Sequence, residues 1–133
     1  MAGKDTIGLG LIGCGGFGEF CLNAYAKIDG LRIAAVADVV RPAAEAMGKR
    51  FGVPALYDAA ELIHRADVGI VHVATPPASH YELAMSGISA GKHCLCEKPL
   101  AVTDAQAEEM VAAARARSLI VPERRDHKQP ERC

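Results

Sequence analysis

Apolar runs of strand length alternate along the chain with stretches in which apolar residues recur every three or four positions, from Ile7 to about Arg117. That alternation predicts β-α-β units wound around a parallel sheet. Ile7 to Ile12, Leu31 to Ala37, Val68 to Ala74 and His93 to Cys96 read as buried strands, with a short one at Ala55 to Tyr57. Between the first two, Phe17, Phe20, Cys21, Ala24 and Ile28 fall at the spacing of one helical stripe, which Gly30 ends. A second helix opens at Arg41-Pro42, with proline at its first position, turns Ala43, Ala46, Met47 and Phe51 inward, and stops at Gly52. Asp58 and Thr103 stand at N-cap positions of two more helices, each with Glu or Gln three residues on. Thr75-Pro76-Pro77 ends the fourth strand because proline cannot donate to a ladder, and a helix with Tyr81, Ala84, Met85 and Ile88 inward runs on to Gly91. The last helix buries Ala107, Met110, Val111 and Ala114.

After that helix Leu119-Ile120-Val121 begins a sixth strand, and Pro122 cuts it off. Residues 123–133 carry seven charges and no aliphatic side chain, which predicts a charged, disordered tail over 122–133. The expected architecture is therefore an α/β fold with a doubly wound, mostly parallel sheet of five to six strands, forming one domain over residues 1–121. A chain of 133 residues, half of them hydrophobic, needs no staple to build such a core. Fifteen basic against 16 acidic residues argue against a nucleic-acid partner, whose phosphates demand concentrated positive charge. No apolar run approaches the roughly 20 residues of a membrane span, and the amino terminus lacks the features of a signal peptide. The five cysteines are odd in number and never spaced C-x-x-C, which suits a reducing cytoplasm. Cys94 and Cys96 share one sheet face without further ligands near in sequence, so no metal site is expected.

Candidate chemistry begins at Gly13-Cys14-Gly15-Gly16-Phe17-Gly18, a G-x-G-x-x-G loop between the first strand and the first helix. Gly13 permits the tight turn, Gly15 lets a pyrophosphate approach the backbone, and Gly18 lets helix and strand pack closely, while the amides around Gly16 and Phe17 face the anion. The bare motif is equally compatible with a tight β-α turn that binds nothing. Asp38, at the end of the second strand and 20 residues beyond Gly18, supplies the acidic partner expected for an adenosine ribose. A carboxylate there accepts from a 2′-hydroxyl and repels a 2′-phosphate, which points to NAD as cofactor; nearby Arg41 keeps NADP open. Alone, Asp38 could equally be a solvated acid near a helix start.

In open α/β sheets ligands sit beyond the carboxyl ends of the strands, so the loops Thr75-Pro76-Pro77 and Glu97-Lys98-Pro99 should border one crevice. The segment ATPPASHYELAMSGISAGKHCLCEKPLA joins an A-T-P-x-x-x-H loop, an A-G-K-H turn and an E-K-P motif. In that order and spacing it resembles the N-terminal domain of the glucose-fructose oxidoreductase, inositol dehydrogenase and MocA family. The resemblance covers residue 6 to about 121, and it implies an NAD- or NADP-dependent oxidoreductase acting on a sugar, polyol or related compound. It further implies that Thr75, Pro76 and His80 lie along the dinucleotide. Glu97 and Lys98 would approach the nicotinamide ribose, with Lys98 as the catalytic side chain reaching substrate hydroxyls. Without the motif Lys98 would read as a surface lysine, and even with it His80 stays equally open to being a helix-start residue with no ligand. His72, inside an apolar strand, reads as a satisfied core residue; His64 and His93 read as helix-end and turn positions. Cys14 reads as a small filler rather than a nucleophile, since no base accompanies it.

Members of that family carry a second domain that covers the nicotinamide, supplies acid/base side chains and forms the subunit interface. These residues end before one, so the expectation is cofactor binding without turnover by the chain alone, a substrate engaged only through a further domain or chain, and self-association through uncovered apolar surface. The other reading is a non-catalytic dinucleotide-binding module.

Overall fold

A computed structural model describes residues 6–97, 101–120 and 123–124, with residues 97, 123 and 124 described by backbone only. Six strands form one all-parallel sheet: β1 (Ile7–Ile12), β2 (Leu31–Ala37), β3 (Ala55–Leu56), β4 (Ile70–Val73), β5 (His93–Glu97) and β6 (Glu123–Arg124), in the order β3-β2-β1-β4-β5-β6. Among the described residues five α-helices connect them: α1 (Gly16–Tyr25), α2 (Arg41–Phe51), α3 (Ala59–Ile63), α4 (His80–Ser89) and α5 (Asp104–Ala116). The chain winds outward from β1 in both directions, so the strand order reverses between β1 and β4, where open sheets of this kind bind ligands.

The strands separate two cores by their alternation. Leu9, Leu11 and Val36 pack with Leu22, Ala44 and Met47 under α1 and α2, whereas Ile12, Ala35, Val71, Val73, Cys94 and Cys96 pack with Leu62, Ala84, Ile88 and Met110 under α3, α4 and α5. Caps act where the side chains allow: Asp58 accepts from Ala60 N at 3.0 Å, and Thr103 from Gln106 N at 3.1 Å. His72 is fully buried, with Nδ1 2.8 Å from the Tyr25 hydroxyl, the satisfied core histidine expected.

Three expectations are corrected. The buried face of α1 is Gly18, Cys21 and Leu22, with Tyr25 half-buried, while Phe17 and Phe20 are 43% and 61% exposed and Ile28 lies beyond the helix end. A glycine contributes nothing to a hydrophobic pattern, so the 18, 22, 25 row was hidden behind two phenylalanines that face out and stack at 6.0 Å. In α2 the buried residues are Ala44, Met47 and Gly48, and Ala46 is exposed. The sixth strand lies past Pro122, not before it: Cys96 pairs with Glu123 and Glu97 with Arg124, while Ile120 accepts from Cys94 N at 3.0 Å. A ladder needs backbone groups rather than apolar side chains, so a charged dipeptide at an edge can form it. The rest of the expected tail, 125–133, lies outside the described residues.

Candidate functional site: the carboxyl edge of the sheet

The glycine loop follows β1 as its residue types require. Gly13 has φ +105°, in the region open to glycine, and a Cβ there would sit 2.8 Å from the carbonyl group of Ala74. A Cβ at Gly18 would collide with the Gly13 carbonyl oxygen, so helix and strand pack at a distance only glycine permits. Gly15 is different. It has ordinary extended geometry, and a Cβ built on it meets nothing within 4 Å; the same holds for Gly16. These two glycines therefore leave open space beside the start of α1, whose N-cap, Gly15, offers no side chain to cap the first turn. A pyrophosphate fits such a cradle, because the helix start presents amides and partial positive charge to an anion.

Beside the loop lies an almost wholly apolar cavity of about 310 Å³, at the small end of ligand pockets, bounded by the end of β1 (Ile12, Gly13), the end of β2 (Ala37, Asp38, Val39), Ala59, and the β4–α4 connection (Thr75, Pro76, Ser79, Leu83). A flat heteroaromatic base suits these walls, with Asp38 at the rim to receive its sugar. A second cavity of about 300 Å³, lined by Cys14, Gly15 and Gly16 of the loop and by residues of α1 and α2, opens where Arg50 pairs with Glu19 at 3.1 Å and donates to Asn23 at 3.0 Å.

Asp38 accepts from Cys14 N with Oδ2 at 2.8 Å and from Val40 N with Oδ1 at 2.9 Å. Burial, then the negative charge of Asp38, push the Cys14 thiol up to about 12, against a smaller lowering from the Ala37 backbone. Cys14 is therefore a neutral filler, as its sequence setting predicted. The Thr75 hydroxyl meets Ser79 Oγ at 2.6 Å, and Ser79 Oγ donates to Pro76 O at 2.9 Å, which fixes the second wall of the cavity. His80, only 1% exposed, points Nε2 at Thr75 O, 2.7 Å away, and so braces the loop that carries Thr75 and Pro76. Arg41 stacks over Tyr57 at 4.3 Å, and Tyr57 donates to Glu45 at 2.7 Å, a bond that raises the phenol's pKa.

Gly13, Gly15, Gly16, Phe17, Gly18, Asp38, Thr75 and Pro76 are thus gathered at one edge. Glu97 has its backbone at the carboxyl end of β5, on that same edge; its side chain and all of Lys98 lie outside the described residues. Val39, Ala59, Ser79 and Leu83 were not singled out from sequence. Ser79 sits inside the quoted A-T-P-x-x-x-H segment, whereas the other three are ordinary apolar residues with no local signature. Among the described residues no cluster of histidine, cysteine or acidic side chains could hold a metal, and no helix is long and apolar enough to cross a membrane.

A parallel sheet with a glycine-opened helix start and an acidic residue at the next strand's end defines a dinucleotide-binding domain. Residues 7–123 match the model of the oxidoreductase family with an NAD-binding Rossmann fold, and the chain belongs to that family, the one that joins glucose-fructose oxidoreductase, inositol dehydrogenase and MocA. It is similar to D-apiose dehydrogenase of Paraburkholderia graminis, 40% identical over 104 residues that make up 77% of this chain and 28% of the relative. Inositol 2-dehydrogenase of Agrobacterium fabrum is 37% identical over 111 residues, 81% of this chain and 33% of the relative. A crystal structure of a 3-ketoreductase from Actinomadura kijaniata in complex with NADP superposes with a TM-score of 0.85 at 34% identity, over 89% of this chain and 38% of that one. The chain spans about a third of the length of these relatives.

Proposed function

We propose that the chain is the cofactor-binding part of an oxidoreductase acting on a sugar, polyol or related hydroxyl or carbonyl compound, with NAD preferred over NADP. The observation that carries this is the carboxyl edge of the sheet, where Gly15 and Gly16 leave open space at the start of α1 and Asp38, at the end of β2, lines the apolar cavity together with Val39, Thr75, Pro76 and Leu83. Phe17 lies in the first turn of α1, next to Gly16. The nicotinamide group, when bound, supplies the hydride acceptor or donor. Thr75, Pro76 and Ser79 hold the base; Asp38 receives the ribose hydroxyls and disfavours a 2′-phosphate. Glu97 ends β5 and Lys98 follows it in sequence; a lysine beside the nicotinamide can donate to a substrate oxygen as charge develops on it. The dehydrogenase and reductase names of the relatives support this substrate class. Hydride transfer also needs a general base for the hydroxyl and a wall against water, and none of the described residues at this edge is placed as either, so cofactor binding without turnover is the expected behaviour of these residues. The exposed Phe17–Phe20 pair supports self-association or cover by a further domain, and the four described cysteines, all buried, suit a reducing cytoplasm.

Isothermal titration with NADH and NADPH tests the reading, beside Asp38→Ser. NADH should bind more tightly, and Asp38→Ser should narrow the gap; tighter NADPH binding by the wild type would show that Arg41 decides the choice. Steady oxidation of a sugar by the chain alone, abolished in Lys98→Ala, would overturn the view that it lacks a complete site. Absence of turnover even in the context of a complementing domain would favour the non-catalytic module.

A further inference from the structure

Asp38 does something that ribose recognition does not require. Its two oxygens are both engaged within the protein, and by amides from different segments: Cys14 N, 24 residues earlier, and Val40 N, two residues on. The second closes an Asx turn at the end of β2. The first extends the β1–β2 pairing by a rung that no backbone supplies. Regular pairing stops at Ile12 opposite Ala37, and beyond it the loop is joined to β2 by Gly13 N donating to Ala37 O at 2.9 Å, the Cys14 thiol at 3.4 Å from that oxygen, and the Asp38 carboxylate. Of these acceptors only the carboxylate is ionised, and charge-assisted bonds are the stronger kind. The tie acts where the chain is about to leave the sheet, directly before the glycines that open the cradle. The strand that carries Asp38 is itself anchored on its other side, since Asp38 N donates to Leu56 O at 3.1 Å.

We propose that Asp38 is a positioning residue for the glycine loop, holding the pyrophosphate cradle in its binding geometry before any ligand arrives, so that recognition of the sugar and of the pyrophosphate forms one coupled unit. The proposal rests on the cofactor-binding reading above for its consequence, though not for the bond itself. A carboxylate oxygen has more than one lone pair, so Asp38 can accept from ribose hydroxyls while retaining both amides. A small residue in its place, the change that makes room for a 2′-phosphate, also releases Cys14 N and frees the loop to sample geometries that must be given up on binding.

The test separates the two roles by removing the hydroxyls from the ligand. ADP and 2′,3′-dideoxy-ADP are titrated calorimetrically into the full chain and into Asp38→Ala, with circular dichroism to verify that the variant is folded. A loop clamp predicts that Asp38→Ala weakens dideoxy-ADP at least tenfold although that ligand offers no hydroxyl to the carboxylate; unchanged dideoxy-ADP affinity would overturn the proposal. Amide hydrogen exchange in the ligand-free wild type gives an independent reading. The Cys14 amide lies beyond the end of β1 and before α1, so slow exchange there is expected from the Asp38 bond, and exchange as fast as at an open loop would also overturn the clamp. Failure of the wild type to bind ADP or NADH at all would refute the cofactor reading, leaving the clamp to be decided by the exchange rates.

Discussion

The two ends of the parallel sheet are equally rich in glycine and charge, and they do opposite things with them. At the amino end, Gly8 is pressed against the Asp67 carbonyl, Lys92 Nζ donates to Arg65 O and Val68 O at 2.7 and 2.5 Å, and Arg65 binds Asp67 through two 2.8 Å hydrogen bonds. Ile120 N donates to His93 Nδ1 at 3.1 Å. The A-G-K-H turn, which marks the family so clearly, is therefore spent on closing the fold. At the carboxyl end, Gly15 and Gly16 face empty space, and an apolar cavity opens at Gly13, Asp38 and Thr75. The difference teaches that a motif becomes a binding site where its groups are left unspent by the fold; a glycine filled by its neighbours and one that opens room carry opposite meanings.

The comparison breaks most forcefully at Gly8. Gly8→Ala drives a methyl group into the Asp67 backbone, and overpacking against backbone should destabilise by roughly 3 kcal/mol or more, read as the midpoint of urea unfolding. Gly15→Val should do the converse. With nothing within 4 Å of its Cβ, folding stability should stay near wild type, while NADH affinity falls about 100-fold, roughly 2.7 kcal/mol, because the side chain occupies the cradle. Unfolding of Gly15→Val, or unchanged NADH binding, would break the contrast.

Lys92→Met sharpens it. Removing an ammonium from two half-buried carbonyls should cost about 1–3 kcal/mol of stability and leave NADH affinity unchanged within twofold. A loss of cofactor binding larger than that would give the amino end a functional role. The smallest effect is set by the buried thiols. Burial alone pushes Cys94, and burial with the Asp38 charge pushes Cys14, from 9.0 up to about 12. Their folded pKa values are raised, so the stability they contribute is full below pH 9 and is lost as pH climbs toward 12, as the unfolded chain releases these protons first. Between pH 9 and 10 the loss is at most about 1.4 kcal/mol per thiol. Thermal midpoints across that range should fall more shallowly in Cys94→Ala than in the wild type.

How far the site was legible follows the same divide. Strands β1, β2 and β5 and the caps at Asp58 and Thr103 could be read because runs and cap residues act locally. Gly13, Gly18 and Asp38 could be read because turn, close approach and charge each demand one residue type. The phase of α1 could not, since Gly18 on its buried row carries no side chain and Phe17 and Phe20 outweighed it. Nor could the walls at Val39, Ala59 and Leu83, which are brought together by long-range packing, or the contact of the buried His80 ring with the Thr75 carbonyl. The second amide on Asp38 was equally hidden, because a fingerprint records the residue type and not what else that residue binds.

The central claim is that the carboxyl edge, and only that edge, receives the dinucleotide. Backbone amide shifts recorded as NADH is added to the full chain test it directly. Gly13 to Gly18, Asp38, Val39, Thr75 and Ser79 should move together with one saturation curve, while Gly8, Arg65 to Asp67 and Gly91 to His93 stay in place. Shifts concentrated at the amino end, or none at the glycine loop at saturating NADH, would contradict the account.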